Sequence, residues 1–418
     1  MARSTTFKYT VTVNSSKFVI DGNSQQYVVL FPGCTYEFNQ DDSTNNGQPL
    51  RFSETSDGTH NSGSEYTTGV TTSGTPGSAT AFTKIEVTES TPFILYYYSS
   101  ATSNYGGEVN VPNNFSTQGG QANRGVIKGV GSNSPGTLSN TMEVIDISTT
   151  ANSVDFGDAF FTGRNQNGTG CSNKTRGVIF SGLTPSYTNI IESHEFQSRG
   201  NGADFGNLSA ARRALAGLSS DTRGVFGGGR EGSVVNTIEY ITIASVGNAT
   251  DFGDLNTSAA TTERGSAAST TRGIFAGFNQ VPSVVNDIDY ITIASTGNAS
   301  DFGDTTDARY AVAGASSSVR AVFGGGRTSG GSVRNIIDYI TIASTGNATD
   351  FGDLTDSRYA ASAVSNSLRA VFAGGETPYK NVMDFVTIAS TGNATDYGDL
   401  TASLAGKGPA SNGHGGLS

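Results

Sequence analysis

Thr222-Arg-Gly-Val-Phe-Gly-Gly-Gly229, a loop, then Asn236-Thr-Ile-Glu-Tyr-Ile-Thr-Ile-Ala-Ser245 and Gly247-Asn-Ala-Thr-Asp-Phe-Gly-Asp-Leu255 form one unit that the chain repeats. Its arginine recurs as Arg124, Arg176, Arg223, Arg272, Arg320 and Arg369, at spacings of 52, 47, 49, 48 and 49 residues. The asparagine opening the second segment recurs as Asn140, Asn189, Asn236, Asn286, Asn335 and Asn381. An acid follows three residues later: Glu143, Glu192, Glu239, Asp289, Asp338 and Asp384. A period of this length marks a stack of supersecondary units, each burying its apolar surface on the next.

Each unit predicts four short strands. The first is rich in Ala and Ser, as from Tyr359 to Val364. The second is Arg369-Ala-Val-Phe-Ala-Gly-Gly375, the third runs from Val382 to Ile388, and the fourth is Asp396-Tyr-Gly-Asp-Leu400. Apolar residues on both faces of the third strand (Ile238, Tyr240, Ile241, Ile243) fit a strand buried on both sides. The small residues of the first fit a crowded centre. High Gly and β-branched content excludes helical solenoids. After Leu400 the chain continues Thr401-Ala-Ser-Leu-Ala-Gly-Lys-Gly-Pro-Ala-Ser411, which aligns with a first strand. The first unit starts at its second strand, Arg124-Gly-Val-Ile. The C-terminal strand is therefore expected to complete the first unit and remove its open edge.

These units resemble kelch-type propeller repeats, through the strand ending in Gly-Gly and the six-fold arrangement. Phe252, Phe302, Phe351 and Tyr397 stand where a kelch repeat has Trp. The stretch Ile-Thr-Ile-Ala-Ser-Thr-Gly-Asn-Ala-Thr-Asp-Phe-Gly-Asp-Leu at 340–354 looks like the repeat of structural proteins from tailed phages and other aquatic viruses. The resemblance implies a six-bladed kelch-like β-propeller over 124–418, closed by the C-terminal strand.

Residues 1–112 alternate as strands: Tyr9-Thr-Val-Thr-Val13, Lys17-Phe-Val-Ile20, Tyr27-Val-Val-Leu-Phe31, Tyr36-Glu-Phe38, Leu50-Arg-Phe52, Lys84-Ile-Glu-Val87 and Phe93 to Tyr98. Seven strands over this length predict a β-sandwich, joined to the repeats by a linker at 113–123. The order of the pieces resembles the cupredoxin family. That family places a His before Pro-Leu-x-Phe and a Cys-x-x-His-x-x-Met cluster after an aromatic strand. Here Gln48 precedes Pro49-Leu-Arg-Phe52, and Ser99, Thr102 and Tyr105 follow Tyr96-Tyr-Tyr98. Blue copper needs a thiolate and two imidazoles. With all four positions changed, no copper site is expected. His60 and Cys34 are expected to lie elsewhere. The fold class predicted for the whole chain is all-β.

Composition narrows the function. Of 418 residues, 55 are Gly and none is Trp, and the formal net charge is -11. Nucleic-acid binders need a basic surface, so no nucleic-acid partner is expected. No apolar run long enough to span a membrane occurs, and the first residues lack the apolar core of a signal peptide. The two cysteines, Cys34 and Cys171, fall in different expected domains, so no disulfide framework is expected.

No motif of a nucleophile elbow, zinc protease or phosphate loop appears. The six arginines and six acids, one of each per unit, suggest framework pairing, because a catalytic group is normally unique. The pairs Asp251/Asp254, Asp301/Asp304, Asp350/Asp353 and Asp396/Asp399 sit in Asn-Ala-Thr-Asp-Phe-Gly-Asp turns. They are read as Asx turns in preference to Ca²⁺ ligands. His60, His194 and His414 are scattered.

The Ser-Thr-Gly-Asn-Ala-Thr turn is nearly constant, whereas the loop between strands two and three varies. Diverse loops on a repeat scaffold are the candidate binding surface, which singles out Tyr187, Arg230, Asn279, Arg327, Tyr379 and Lys380. The expected function is that of a non-enzymatic virion structural protein, in a tail, fibre or capsid-associated position, with no cofactor and no metal. It would be made in the host cytoplasm, oligomerise in the particle, dock to other virion proteins by its N-terminal domain and attach to a host-surface glycan or protein by the propeller. The alternatives are a carbohydrate-binding propeller lectin and a galactose-oxidase-like enzyme, for which Cys171, His194 and His414 lack a suitable setting.

Overall fold

The computed structural model describes residues 6–30, 33–88, 91–92, 94–111, 123–131, 139–163, 169–180, 183–184, 186–197, 200–256, 265–280 and 283–417. It is all-β. Helix among these residues is limited to the 3-10 turns Ser43–Asn45 and Gly58–Asn61. The chain divides into two compact units, Met1–Gly120 and Gln121–Ser418. Of the expected linker at 113–123, only Asn123 lies within the described residues.

In the first unit, period-two alternation turns one side of each strand inward. Thr6–Asn14 pairs antiparallel with Lys17–Ile20 and parallel with Thr35–Asn39. Phe82–Glu86 and Val70–Ser73 extend this sheet. A second sheet is built from Gly107–Asn110, Ile94–Ser99 and Leu50–Ser53, with short edges at Val28–Val29 and Glu65–Tyr66. Both sheets contribute to one core, including Phe18, Phe38, Phe52, Ile85, Leu95 and Val109.

The second unit contains four sheets of one plan, each with four antiparallel strands in chain order. The innermost strand is Thr169–Ser172, Ala216–Ser219, Gly265–Ala268 or Ala313–Ser316. It pairs with the strand opened by a repeat arginine, then with the strand carrying the repeat acid, then with a short strand such as Thr349–Asp353. Apolar residues from adjacent repeats meet between the sheets, as Phe351 and Phe372 do. Burying each such ring contributes about 1.5–3 kcal/mol.

A fifth sheet has seven strands and joins the first repeat to the last. The sequence reading has two separate strands here, but the structure has one, Thr395–Ser411. Its start pairs with Lys380–Thr387 (Asp384↔Asp396), and its end pairs with Arg124–Gly131 (Val126↔Ala410, Ile127↔Pro409). Three other repeats are entered through a bend at a positive-φ alanine, Ala214, Ala311 or Ala360, and 400–407 holds no positive-φ residue. The innermost strands touch in sequence: Thr169–Ser172, Ala216–Ser219, Gly265–Ala268, Ala313–Ser316, Ser362–Ser365, Thr395–Ser411, and back to Thr169–Ser172.

Three sets of side chains hold the repeats together. The first is the arginines. Arg124 donates to the Phe196 carbonyl, Arg176 to Ile243, Arg223 to Ile293, Arg272 to Ile342, Arg320 to Ile388 and Arg369 to Ser148. Four of these guanidiniums also lie over a ring of their own repeat, 4.3–4.8 Å from its centroid: Tyr240, Tyr290, Tyr339 and Phe385.

The second set corrects an expectation. The framework pairing is real for the acids, but their basic partners are other residues. Arg212 pairs with Glu239, Arg309 with Asp338 at 3.0 Å, Arg358 with Asp384 at 2.7 Å, and Lys128 with Glu192. These acids and their partners are buried, where an ion pair needs further hydrogen bonds to offset desolvation. The chain entering the repeat supplies them: Thr306 Oγ1 donates to Asp338 and Thr355 Oγ1 to Asp384. Thr401 of the sixth repeat donates in the same way to Glu143 of the first, at 2.7 Å.

The third set is the turn asparagines. Their side chains bond across the repeat boundary. The Oδ1 atoms of Asn201, Asn248, Asn298, Asn347 and Asn393 accept from the amides of Asp158, Asn207, Asp254, Asp304 and Asp353 in the preceding repeats. Asn152 accepts from Asp399 and completes the series. Gly352, at φ +143°, shows why the Phe-Gly-Asp glycine recurs: a Cβ there would stand 2.5 Å from the Gly392 carbonyl oxygen of the next turn.

Candidate functional site

The ends of the second unit differ in what their residues are already doing. A ring of serines marks one end, where the innermost strands finish. Ser219 Oγ donates to the Ser172 carbonyl (2.8 Å) and accepts from its amide (3.0 Å). Ser316 does the same for Ala268, and Ser365 for Ser316. Ser411 Oγ accepts from Ser365 N, and Ser172 Oγ donates to the Ser411 carbonyl. Ala268 interrupts the ring, since it has no hydroxyl to offer Ser219. Antiparallel pairing puts the constant turns at this same end, where the asparagine bonds consume them.

The loops between second and third strands therefore share the opposite end. The structure joins several of the singled-out residues to partners in the chain entering a repeat. Arg213 lies over the Tyr187 ring at 5.7 Å and exchanges backbone hydrogen bonds with Arg230. Arg327 is bonded likewise to Tyr310 and lies over the Tyr359 ring at 5.4 Å. Tyr359 donates to Glu376 Oε2 at 2.7 Å. Burial and that carboxylate push its phenol up to about 12. Lys380 pairs with Asp356, and Tyr379 is half-buried beside it. Asn279 lies opposite Val284 in the strand pair. Ser134-Pro-Gly136, Pro185 and Pro282, in the same variable loops, fall outside the described residues. Arg213, Tyr310 and Glu376 escaped the sequence reading, because they precede the first strand or close the loop where no diversity signal marks them; Tyr359, expected to open a first strand, lies ahead of Ser362–Ser365.

Between the ends lies a narrow recess lined by all six innermost strands, with Thr169, Gly217, Ser266, Gly314, Ala363 and Pro409 on its wall and His414 among its lining residues. Its side chains are mostly small, and none is an Asp, Glu, Lys or Arg. Cys171 also lines it, and burial raises its thiol well above the usual value. His194 is buried elsewhere, edge-on to Phe156 and Phe196. The three residues weighed for a copper enzyme thus include one that packs among phenylalanines.

In the first unit, Gln48, Ser99 and Thr102 come together. Ser99 Oγ donates to Gln48 Oε1 at 2.8 Å and accepts from the Thr102 amide at 3.3 Å. Tyr105 is instead buried in the core, edge-on to Phe18. His60 corrects an expectation: its Nε2 stands 2.9 Å from the Ser99 carbonyl oxygen, brought there by the Gly58–Asn61 turn. Among the described residues, no three His, Cys, Asp or Glu side chains gather as metal ligands. No helix among them is long and apolar enough to cross a membrane. The chain matches no family model and no curated protein.

Proposed function

We propose that the chain is a non-enzymatic virion structural protein, whose second unit is a six-bladed kelch-like β-propeller displayed for attachment to a host-surface glycan or protein. The first unit would be a cupredoxin-like sandwich without its copper ligands, docking the protein to other virion proteins. The propeller reading is supported by the cycle of innermost strands and by three sets of inter-repeat bonds that return to the first repeat. One observation carries the attachment reading. Both ends are tied by contacts between repeats, but only at the loop end do the residues vary from repeat to repeat, and there they include Tyr187, Arg230, Arg327 and Tyr379, residue types favoured at binding hot spots. A lectin would use the same face.

The test pairs two variants. Alanine at Tyr379 and Lys380 leaves folding intact and weakens binding to host cells or to an arrayed glycan. Deleting residues 1–112 prevents incorporation into particles. Incorporation of the deleted form, or a loop face buried against another virion protein, overturns the assigned roles.

A further inference from the structure

After Ser411 the chain leaves its strand and crosses the recess at the serine-ring end. Asn412 donates its amide to the Arg124 carbonyl (3.1 Å), Gly415 to the Ser316 carbonyl (2.9 Å) and Leu417 to the His414 carbonyl (3.0 Å). The path touches several repeats at once, and it is tight. A Cβ on Gly415 would strike the carbonyl oxygens of Ser317 and Ala268, and one on Gly416 would strike that of Ser219. Ser219 and Ala268 are the two residues between which the serine ring is interrupted. The segment sits in that gap.

Its one titratable group is held in one protonation state by geometry. Gly416 N–H donates to His414 Nδ1 at 3.1 Å, so Nδ1 carries a lone pair. Nε2 stands 3.2 Å from the Ser172 carbonyl oxygen, which can only accept, so Nε2 carries the proton. Ser219 Oγ lies 3.1 Å from the same atom. A second proton, on Nδ1, would face the Gly416 N–H donor to donor and break the bond that folds the segment on itself.

We propose that Asn412–Leu417 is an acid-released stopper: it closes this end of the recess while His414 is neutral and leaves its seat when His414 becomes an imidazolium. The surroundings offer little to hold the cation. Asp221, in the turn after Ala216–Ser219, favours it. The Cys171 thiol of Thr169–Ser172 is turned toward Gly224. Gly265–Ala268, Ala313–Ser316 and Ser362–Ser365 contribute only Gly, Ala, Ser and Val, and the last strand lines the recess with Pro409, Ala410 and Ser411. Burial outweighs the Ser172 carbonyl and Asp221, which both favour the cation, and lowers the seated imidazole from 6.5 to about 4. A group whose value is depressed on seating keeps the seat at full strength above 6.5. The seat weakens about tenfold per pH unit as pH falls toward 4, where the seated ring also takes up its proton. The device is independent of what the loops bind.

Hydrogen exchange of the full chain, followed by mass spectrometry and corrected for intrinsic rates, tests this. In the wild type, protection of the Gly415 and Leu417 amides falls about tenfold per pH unit below pH 6.5, with Ala313–Ser316 remaining the better protected. His414→Gln, which cannot be protonated, keeps its tail protection constant over that range. Equal loss in His414→Gln overturns the stopper. Should His414→Gln fail to seat its tail at neutral pH, NMR titration of the wild-type imidazole decides. A ring titrating at 6.5 with the tail still protected refutes the proposal, and one titrating near 4 together with tail release supports it.

Discussion

Arg369 Nη1 donates to the carbonyl oxygen of Ser148 at 2.6 Å, across 221 residues of chain. The same bond joins each earlier repeat to its successor, so the sixth repeat treats the first as its next neighbour. Every such arginine is tied to a backbone atom about seventy residues on, or to the far end of the repeat array. The repeats are consequently coupled by charged hydrogen bonds as well as by apolar packing.

Arg320→Ala is expected to cost the second unit about 1–3 kcal/mol, from the loss of a charged hydrogen bond and a cation–π contact. Arg320→Lys recovers only part of it, because an ammonium lacks the planar face that lies over Tyr339. Denaturant midpoints of the three proteins check both statements. Equal stability of wild type and Arg320→Ala would remove the arginine from the framework.

Gly352→Ala and Gly346→Ala separate backbone strain from collision. Both glycines have positive φ, +143° and +152°, but only Gly352 faces an atom of the next turn; the space beside Gly346 is open. Strain alone costs about 1–3 kcal/mol. Gly352→Ala should exceed Gly346→Ala, since it must also push away the Gly392 carbonyl. Thermal unfolding of the two variants side by side gives the difference.

His194 carries a pH dependence with a definite sign. Burial and the nearby Lys128 ammonium lower it from 6.5 to about 3. The unfolded chain binds a proton below 6.5 that the folded chain refuses until about 3. Stability is therefore full above 6.5 and falls with pH by about 1.4 kcal/mol per unit across that window. Ile241, Ile291 and Ile340 stand at the equivalent position of other repeats. His194→Ile should flatten the loss, leaving a smaller slope from His414. Unfolding curves collected from neutral pH downward would show an unchanged slope if His194 were not buried in its neutral form.

Ala268→Ser supplies the missing hydroxyl of the ring. In the other repeats that hydroxyl lies against the carbonyl of the preceding repeat, and at Ser219 this carbonyl is already covered by Gly416. The two cannot share the place. Exchange protection of Gly415 and Leu417 should fall in Ala268→Ser at neutral pH. A fully protected tail in that variant would mean the gap and the tail are unrelated.

Copper added to the chain should remain substoichiometric after dialysis. Gln48, Ser99 and Thr102 meet through neutral oxygens and an amide, and His60 spends Nε2 on the Ser99 carbonyl. A soft thiolate is missing from the group. Stoichiometric retention, measured by metal analysis, would contradict this.

Much of the architecture is local information. Alternation in Lys17-Phe-Val-Ile20, the small residues of Ala313–Ser316 and the recurring Phe-Gly-Asp turn each follow from side-chain size and backbone preference within a few residues. The period then sets how many units there are, and the strand-like Leu404–Ser411 segment points to a pairing with Val126 and Ile127. None of this names the partner of a polar side chain in another repeat. Arg223 and Glu239 sit sixteen residues apart and invite pairing, yet Arg223 serves the Ile293 carbonyl and Glu239 takes Arg212. Asn347 lies in a sequence that suits a local turn, yet it accepts from Asp304 of the preceding repeat. His60 reaches Ser99, and His414 reaches Ser172, only because separate strands end side by side. Hydrophobic period and turn chemistry are decided along the chain. Hydrogen bonds between repeats are decided by stacking, which brings together groups dozens to hundreds of residues apart at a spacing of about 3 Å.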